Sequence, residues 1–277
     1  MVAVALVAVV ALLAFGGVAF ALAHRSDGAG AAGTTGSSSP GASSSSNGSS
    51  QSAGEHSSSS STTTTAPPND LLAPPPTVVT PIAVTNGLAP QVSRVDTTDR
   101  VIFITIDDGQ IRDPSYLDHF AQMGVPFSSF LTEPMAKADP EFWKGTMARG
   151  GRIQAHTITH PNLRVTSEAK ARTEICEPAD TFTALFGVRP TLFRPPYGNS
   201  NDMVRRIAAE CGYKAVVLWK GSTNDGKLTM QDVTLHPGDI ILMHYRKTLN
   251  ADLDDVVARA RAEGFRIGRL EDYLAPG

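Results

Sequence analysis

From about Val95 to the C-terminus, short apolar runs alternate with amphipathic stretches, and this alternation restricts the chain more than any other feature of it. The runs are Val101–Ile106, Val125–Leu131, Arg152–His156, Thr191–Arg194, Lys214–Trp219 and Asp239–His244, each the length of a buried strand. Helical patterns lie between them near Asp113–Met123, Pro140–Arg149, Ser167–Phe186, Asp202–Cys211 and Asp252–Glu263. Strand-helix-strand order implies βαβ units around a parallel sheet, an α/β fold that is either open or closed into a barrel, with chemistry at the carboxyl ends of the strands. Residues 96–277 suffice for one sizeable core and are too few for two.

The front of the chain is different. Residues 2–23 carry no charge, and a helix of that length spans a bilayer core of about 30 Å. Residues 1–25 are therefore expected to meet a membrane, as a signal anchor or as a signal peptide cleaved after Ala21-Leu22-Ala23. No Lys or Arg precedes the run while Arg25 follows it, so a basic flank is expected to be missing from the front. Residues 26–65 hold 22 Ser or Thr and no large apolar side chain, and cannot bury enough surface to offset their ordering entropy. With Pro67, Pro68, Pro74, Pro75 and Pro76 behind them, residues 26–95 read as a flexible Ser/Thr/Gly/Pro-rich stalk before a single domain, 96–277. Net charge is -3, so no cationic excess exists to neutralise phosphates, and nucleic acid is excluded as a partner.

The residues with chemical potential sit where the strands end. The first strand runs into Asp107-Asp108-Gly109, two adjacent carboxylates and a glycine that permits a sharp turn. Successive strand residues point to opposite faces, so both acids serve one site only where the strand is ending; alone, Asp-Asp-Gly is also a common solvated turn. The third strand ends in His156-Thr157-Ile158-Thr159-His160 before Pro161, and two imidazoles four residues apart in a single turn can reach one metal. With a strand-end carboxylate they make the His-His-Asp set of an open metal site. The fourth strand opens into Arg194-Pro195-Pro196-Tyr197-Gly198, whose prolines fix the backbone around an arginine suited to bracing a carboxylate, or simply make a stiff surface loop. The last strand delivers His244, a proton carrier near neutral pH or a structural histidine.

Together these blocks resemble the polysaccharide deacetylase family, the NodB-like domain of carbohydrate esterase family 4, across about residues 96–275. TIDDG resembles the family's TFDDG, HTITH its HSxxH, RPPYG its RxPY block and LMH its LxH. The resemblance implies a distorted (β/α) barrel. It assigns Asp107 as catalytic base, His244 as acid, Arg194 as the anchor of Asp107 and the Tyr197 backbone amide as an oxyanion donor. Asp108, His156 and His160 are assigned to one divalent metal, zinc foremost, with Co2+, Ni2+ or Mn2+ as alternatives. Leu242, Trp219 and Pro196 line the substrate pocket. A monomeric hydrolase follows, acting on acetylated polysaccharide outside the cell membrane, with peptidoglycan of a bacterial cell wall first and chitin-like oligomers or acetyl xylan as alternatives.

One block departs from the family pattern. Where W-x-x-D-x-x-D-W is common, this chain reads Trp219 to Gly226, with Ser222 for the first Asp and Gly226 for the closing Trp. Asp225 remains and is expected to brace Arg194 or His244. The loss keeps a second class of reading open, a wall-binding module with weakened catalysis. A metal-dependent nuclease or phosphatase fits the His/Asp set but lacks a basic groove. Finally, Cys176 and Cys211 fall on consecutive crossover helices, which usually pack side by side, so an oxidising compartment favours a disulfide over two small buried thiols.

Overall fold

The computed structural model describes residues 70–274, apart from 77, 78 and 80. The segment expected at the membrane, 1–25, and the stalk as far as residue 69 lie outside the described residues. Among the described residues no helix is long and apolar enough to cross a membrane.

The elements follow the alternation read from the sequence, with additions. In chain order they are β1 (Gln91–Val92), β2 (Val101–Asp108), α1 (Pro114–Met123), β3 (Ser128–Leu131), α2 (Glu133–Ala138), α3 (Pro140–Ala148) and β4 (Arg152–Ala155). Next come α4 (Glu168–Phe186), β5 (Leu192–Phe193), a 3-10 turn at Pro196–Gly198, α5 (Asp202–Glu210) and β6 (Ala215–Val217). The chain finishes with β7 (Gly221–Asn224), β8 (Lys227–Met230), β9 (Ile240–His244), α6 (Leu249–Ala262), β10 (Arg266–Gly268) and α7 (Leu270–Tyr273). Local chemistry sets the helix ends. In α1, Asp113 accepts from the Ser115 N–H, Pro114 opens the first turn, and Gly124 closes the helix at φ 64°.

The strands lie in the order β1-β6-β5-β4-β3-β2-β9-β7-β8. All pairings are parallel except the β7–β8 hairpin. One edge of β2 belongs to β9, while the other is shared between β10 at Val101–Phe103 and β3 at Thr105–Asp108. The sheet is a curled half-barrel with helices, consistent with the NodB-like α/β fold expected from the sequence, and its strand order runs from β1 to β8. The β7–β8 hairpin is appended beyond β9, and its outer strand faces a helix. The N–H groups of Gly226 and Leu228 donate to Asp252 and Asp255 of α6, at 2.8 and 2.7 Å, so the edge is satisfied without another strand.

Residues 70–95, assigned to the stalk from the sequence, are in part folded. Leu71 and Ala89 are buried, β1 pairs with β6, and Leu72 pairs with Ile267 of β10. Residues 70–95 therefore contribute to the folded unit. Scattered apolar residues there, Leu71, Ile82 and Val92 among them, cover strand edges and core that β6 and β10 would otherwise expose.

Strand parity divides the core. Ile102, Ile104 and Ile106 of β2 face the helices with Ile153, Phe193, Val216, Ile241 and Met243. Val101 and Phe103 face inward with Phe130, Leu192, Val217 and Ile240. Continued along each strand, the inward set arrives at Thr105 and Asp107, at His156, at Arg194, at Trp219, and at Leu242 and His244. One face of one sheet thus carries the polar residues to its carboxyl edge.

Candidate metal and hydrolytic site

Asp107 ends the inward row of β2 and is 2% exposed. Its Oδ1 accepts from Arg194 Nη1 at 2.7 Å, and its Oδ2 lies 3.7 Å from His156 Nε2. Asp108, next in the chain, would point to the helix side by parity. Its backbone instead takes φ 76°, a left-handed value costly for a side chain with a Cβ, and the turn returns the carboxylate to the same site. Gly109 follows at φ 92°, where a Cβ would stand 3.0 Å from the Trp143 ring. Adjacent acids share one site because the strand breaks between them.

Around Asp108 Oδ1, the Nε2 atoms of His156 and His160 each lie at 3.6 Å. All three atoms are within 4.8 Å of one another. Ligands about 2.1 Å from a tetrahedral ion sit roughly 3.4 Å apart, so this set fits one divalent cation. The His156 ring is fixed from behind: its Nδ1–H donates to the Arg194 carbonyl at 2.7 Å, leaving Nε2 as the lone-pair nitrogen. The backbone N–H of His160 donates to Thr157 Oγ1 at 3.1 Å. Thr157 and His160 have φ of 70° and 57°, so left-handed residues cluster here as they do at Asp108. Burial holds the His156 imidazole far below its ordinary basicity, at about 3. The ring is thereby a neutral ligand well into the acid range.

Arg194 is wholly buried. Besides Asp107 it donates to Thr105 Oγ1 at 2.9 Å, to the Val217 carbonyl at 3.1 Å and to the Leu218 carbonyl at 3.3 Å, and it stacks 4.3 Å over the Phe130 ring. Burial raises the Asp107 carboxyl, and the Arg194 guanidinium is the largest influence opposing that rise. Asp108 is raised too, by burial first, then held down by His156 and pushed up by Asp107.

The remaining expected residues divide. Tyr197 stands at φ 61° in the 3-10 turn, its exposed ring edge-on to His160 at 4.7 Å. The turn's own bonds, Gly198 N–H to Pro195 and Asn199 N–H to Pro196, leave the Tyr197 N–H outside them. Pro196 is buried beneath that turn. Trp219 packs onto the inner core with its ring against Gly198, where a Cβ would meet it at 3.1 Å. Leu242 lies buried one pleat before His244. His244 is the register partner of Asp107 across β2 and β9, and burial lowers its imidazole to about 4. Its Nδ1 is buried without a hydrogen-bond partner.

Asp225 is a correction. It does not brace Arg194 or His244. With φ 50° it occupies the tip of the β7–β8 turn beside Gly226 at 78°, where its carboxylate accepts from Asn224 Nδ2. Asp-Gly between two strand segments is a strong two-residue hairpin signal, and reading the block by resemblance alone passed over it. Besides Asp107, the partners of Arg194 are Thr105 and two backbone carbonyls. Parity along β2 was enough to find Thr105, which shares the face of Asp107.

A carboxylate and two imidazoles around space for one ion, with a second carboxylate held beside them by an arginine, have the donor set of an open metal centre. A profile of the polysaccharide deacetylase family matches residues 94–216. An uncharacterized Streptomyces coelicolor protein is 38% identical over 198 residues, covering 68% of this chain and 78% of the relative. A peptidoglycan-N-acetylglucosamine deacetylase of Bacillus cereus is 28% identical over 184 residues, covering 61% and 66%. Among solved structures, a family 4 carbohydrate esterase from Bacillus anthracis superposes with a TM-score of 0.58 at 24% identity, covering 66% of this chain and 86% of that one. The chain belongs to the polysaccharide deacetylase family and has its NodB-like fold.

Proposed function

We propose that this protein is a metal-dependent hydrolase that removes N-acetyl groups from the amino sugars of peptidoglycan, outside the cell membrane. The observation that carries the reading is the joint presence, at one strand edge, of the Asp108–His156–His160 cluster and of Asp107 paired with Arg194. Peptidoglycan is favoured because the Bacillus cereus relative is a peptidoglycan-N-acetylglucosamine deacetylase. The uncharged run at 2–23 and the Ser/Thr-rich stretch after it support an anchored or secreted protein of the cell wall.

Asp108, His156 and His160 would hold the ion, zinc by donor type. When bound, such a cation supplies a Lewis acid for the acyl oxygen and lowers the pKa of a water. Asp107 takes the proton of the attacking water, its free oxygen being Oδ2 because Oδ1 is held by Arg194. The Tyr197 N–H donates to the developing oxyanion. Trp219 and Leu242 wall the pocket for the acetyl group and its sugar. His244, facing Asp107 across the strand pair, passes the proton to the departing amine through Nε2, since Nδ1 is buried. The proton it delivers is the one that Asp107 removes from the water, so both groups return to their starting states when the products leave. Acetate and a free amino sugar leave.

The test is acetate release from purified cell-wall glycan and from chitin oligomers, with and without a chelator. Chelator-sensitive release from wall glycan is expected, and preference for the chitin oligomers would move the substrate. A second reading, a wall-binding module with weakened turnover, draws on the orphaned His244 Nδ1 and on Ser222 and Gly226 in the altered block. Glycan binding with bound metal and no acetate would establish it instead.

A further inference from the structure

Helix α4 carries a carboxylate where its own pattern calls for an apolar residue. Its buried face is Ala171, Ile175, Pro178, Ala179 and Phe182, and Glu174 lies on that face, 3% exposed. Burying a carboxylate is unfavourable unless donors replace its water. Among the described residues no Lys or Arg comes within 4.0 Å of Glu174; the donors belong instead to one short loop. Glu174 Oε2 accepts from the Ile158 N–H at 3.0 Å and from the Thr159 N–H at 2.8 Å, and Oε1 accepts from Thr159 Oγ1 at 2.6 Å.

That loop is the span between His156 and His160. Both of its flanking turns are left-handed, at Thr157 and at His160 itself, a backbone path that non-glycine residues keep only when their surroundings impose it. The path leaves the amides of Ile158 and Thr159 pointing away from the site toward α4. A pair of consecutive amides of this kind makes a concavity for an anion. Thr157 Oγ1 fixes the next amide, that of His160, from the inside.

We propose that Glu174 is the positioning residue of the metal centre: its buried carboxylate clamps the His156–His160 loop and thereby fixes His160 against Asp108. The inference rests on the metal-site reading above, and extends it to a side chain that touches neither ion nor substrate. His156 does not need the clamp: it directly follows β4, its backbone N–H donates to the Leu131 carbonyl, and its ring is held by the Arg194 carbonyl. His160, a partly exposed ligand at the end of the loop, does.

The test measures zinc affinity of the metal-free, full-length protein by competition with a chromophoric chelator, alongside its melting temperature. Loss of an outer-shell partner typically weakens metal binding 10–100-fold, and that loss is expected for Glu174→Ala and for Glu174→Leu, the second of which keeps the apolar face of α4 filled. Glu174→Gln retains an oxygen for both amides and should bind zinc close to wild type. Ile175→Ala, a cavity on the same face, should lower the melting temperature without changing zinc affinity. Wild-type affinity in a folded Glu174→Leu protein, or equal weakening by Ile175→Ala, would overturn the proposal. The metal-site reading has its own control, because wild-type zinc binding that His156→Ala leaves intact would remove both.

Discussion

Replacing Arg194 with Met tests the arrangement at its centre. The methionine fills much of the same volume against Phe130, so the principal loss is electrostatic. Asp107 loses the guanidinium paired with it, and Thr105 Oγ1 and the carbonyls of Val217 and Leu218 lose their donor. Stranding one partner of a buried ion pair costs about 3–5 kcal/mol, which for a domain of this size lowers the melting temperature by roughly 6–20 °C. The sign of the pH dependence follows from the carboxyl group. Burial already raises Asp107, and Arg194 opposes that rise more than any other group, so its removal raises Asp107 further. A carboxyl raised in the folded state favours folding at low pH and loses that contribution as pH climbs through its folded pKa. The deficit of Arg194→Met should therefore be smallest in acid and grow toward neutrality. In kinetics the acidic limb of kcat/KM should move to higher pH, because the base is deprotonated later. Urea melts across pH and a pH profile of acetate release measure both. A pH-independent deficit together with an unmoved acidic limb would refute the assignment of Asp107 as the base that Arg194 holds.

Other perturbations separate the remaining parts. Asp108→Asn should abolish the zinc-induced rise in melting temperature, yet metal-free Asp108→Asn should melt above metal-free wild type at pH 7. Burial and Asp107 both raise the Asp108 carboxyl, so its ionisation costs stability at neutral pH, and the neutral amide avoids that cost. His156 and His244 are lowered to about 3 and about 4, so the stability tied to their neutral rings is present above about 6.5 and is lost as pH falls toward those values. In metal-free protein, His244→Gln should flatten the acid side of the stability curve between about pH 6.5 and 4, as followed by circular dichroism. The structure joins Cys176 of α4 to Cys211 at the end of α5, closing a separation of 35 residues. Reduction should cost roughly 3–4 kcal/mol and about 6–16 °C in melting temperature while low-temperature activity persists, which calorimetry with and without reductant decides.

The sequence by itself determined the strand-helix alternation, the strand-end location of Asp107, His156, Arg194 and His244, and the pairing of the two cysteines. These are legible because strand parity and helix period are local, and because two crossover helices next to each other in the chain pack next to each other in space. The folded role of residues 70–95 was not legible, since isolated apolar residues such as Leu71 show no period and find their partners in β6 and β10, more than a hundred residues away. Asp225 was misread because a motif's spacing says nothing about whether its strand turns back, whereas the Asp-Gly tip sends the chain into a hairpin and carries the carboxylate out to solvent. The role of Glu174 was not legible in the sequence. That its donors are the amides between two metal-binding histidines depends on left-handed backbone at Thr157 and His160, a conformation held by tertiary contacts and written in neither residue's propensity. Periodicity fixes which face a residue takes; which groups meet across that face is decided only when the sheet curls and brings distant strand ends together.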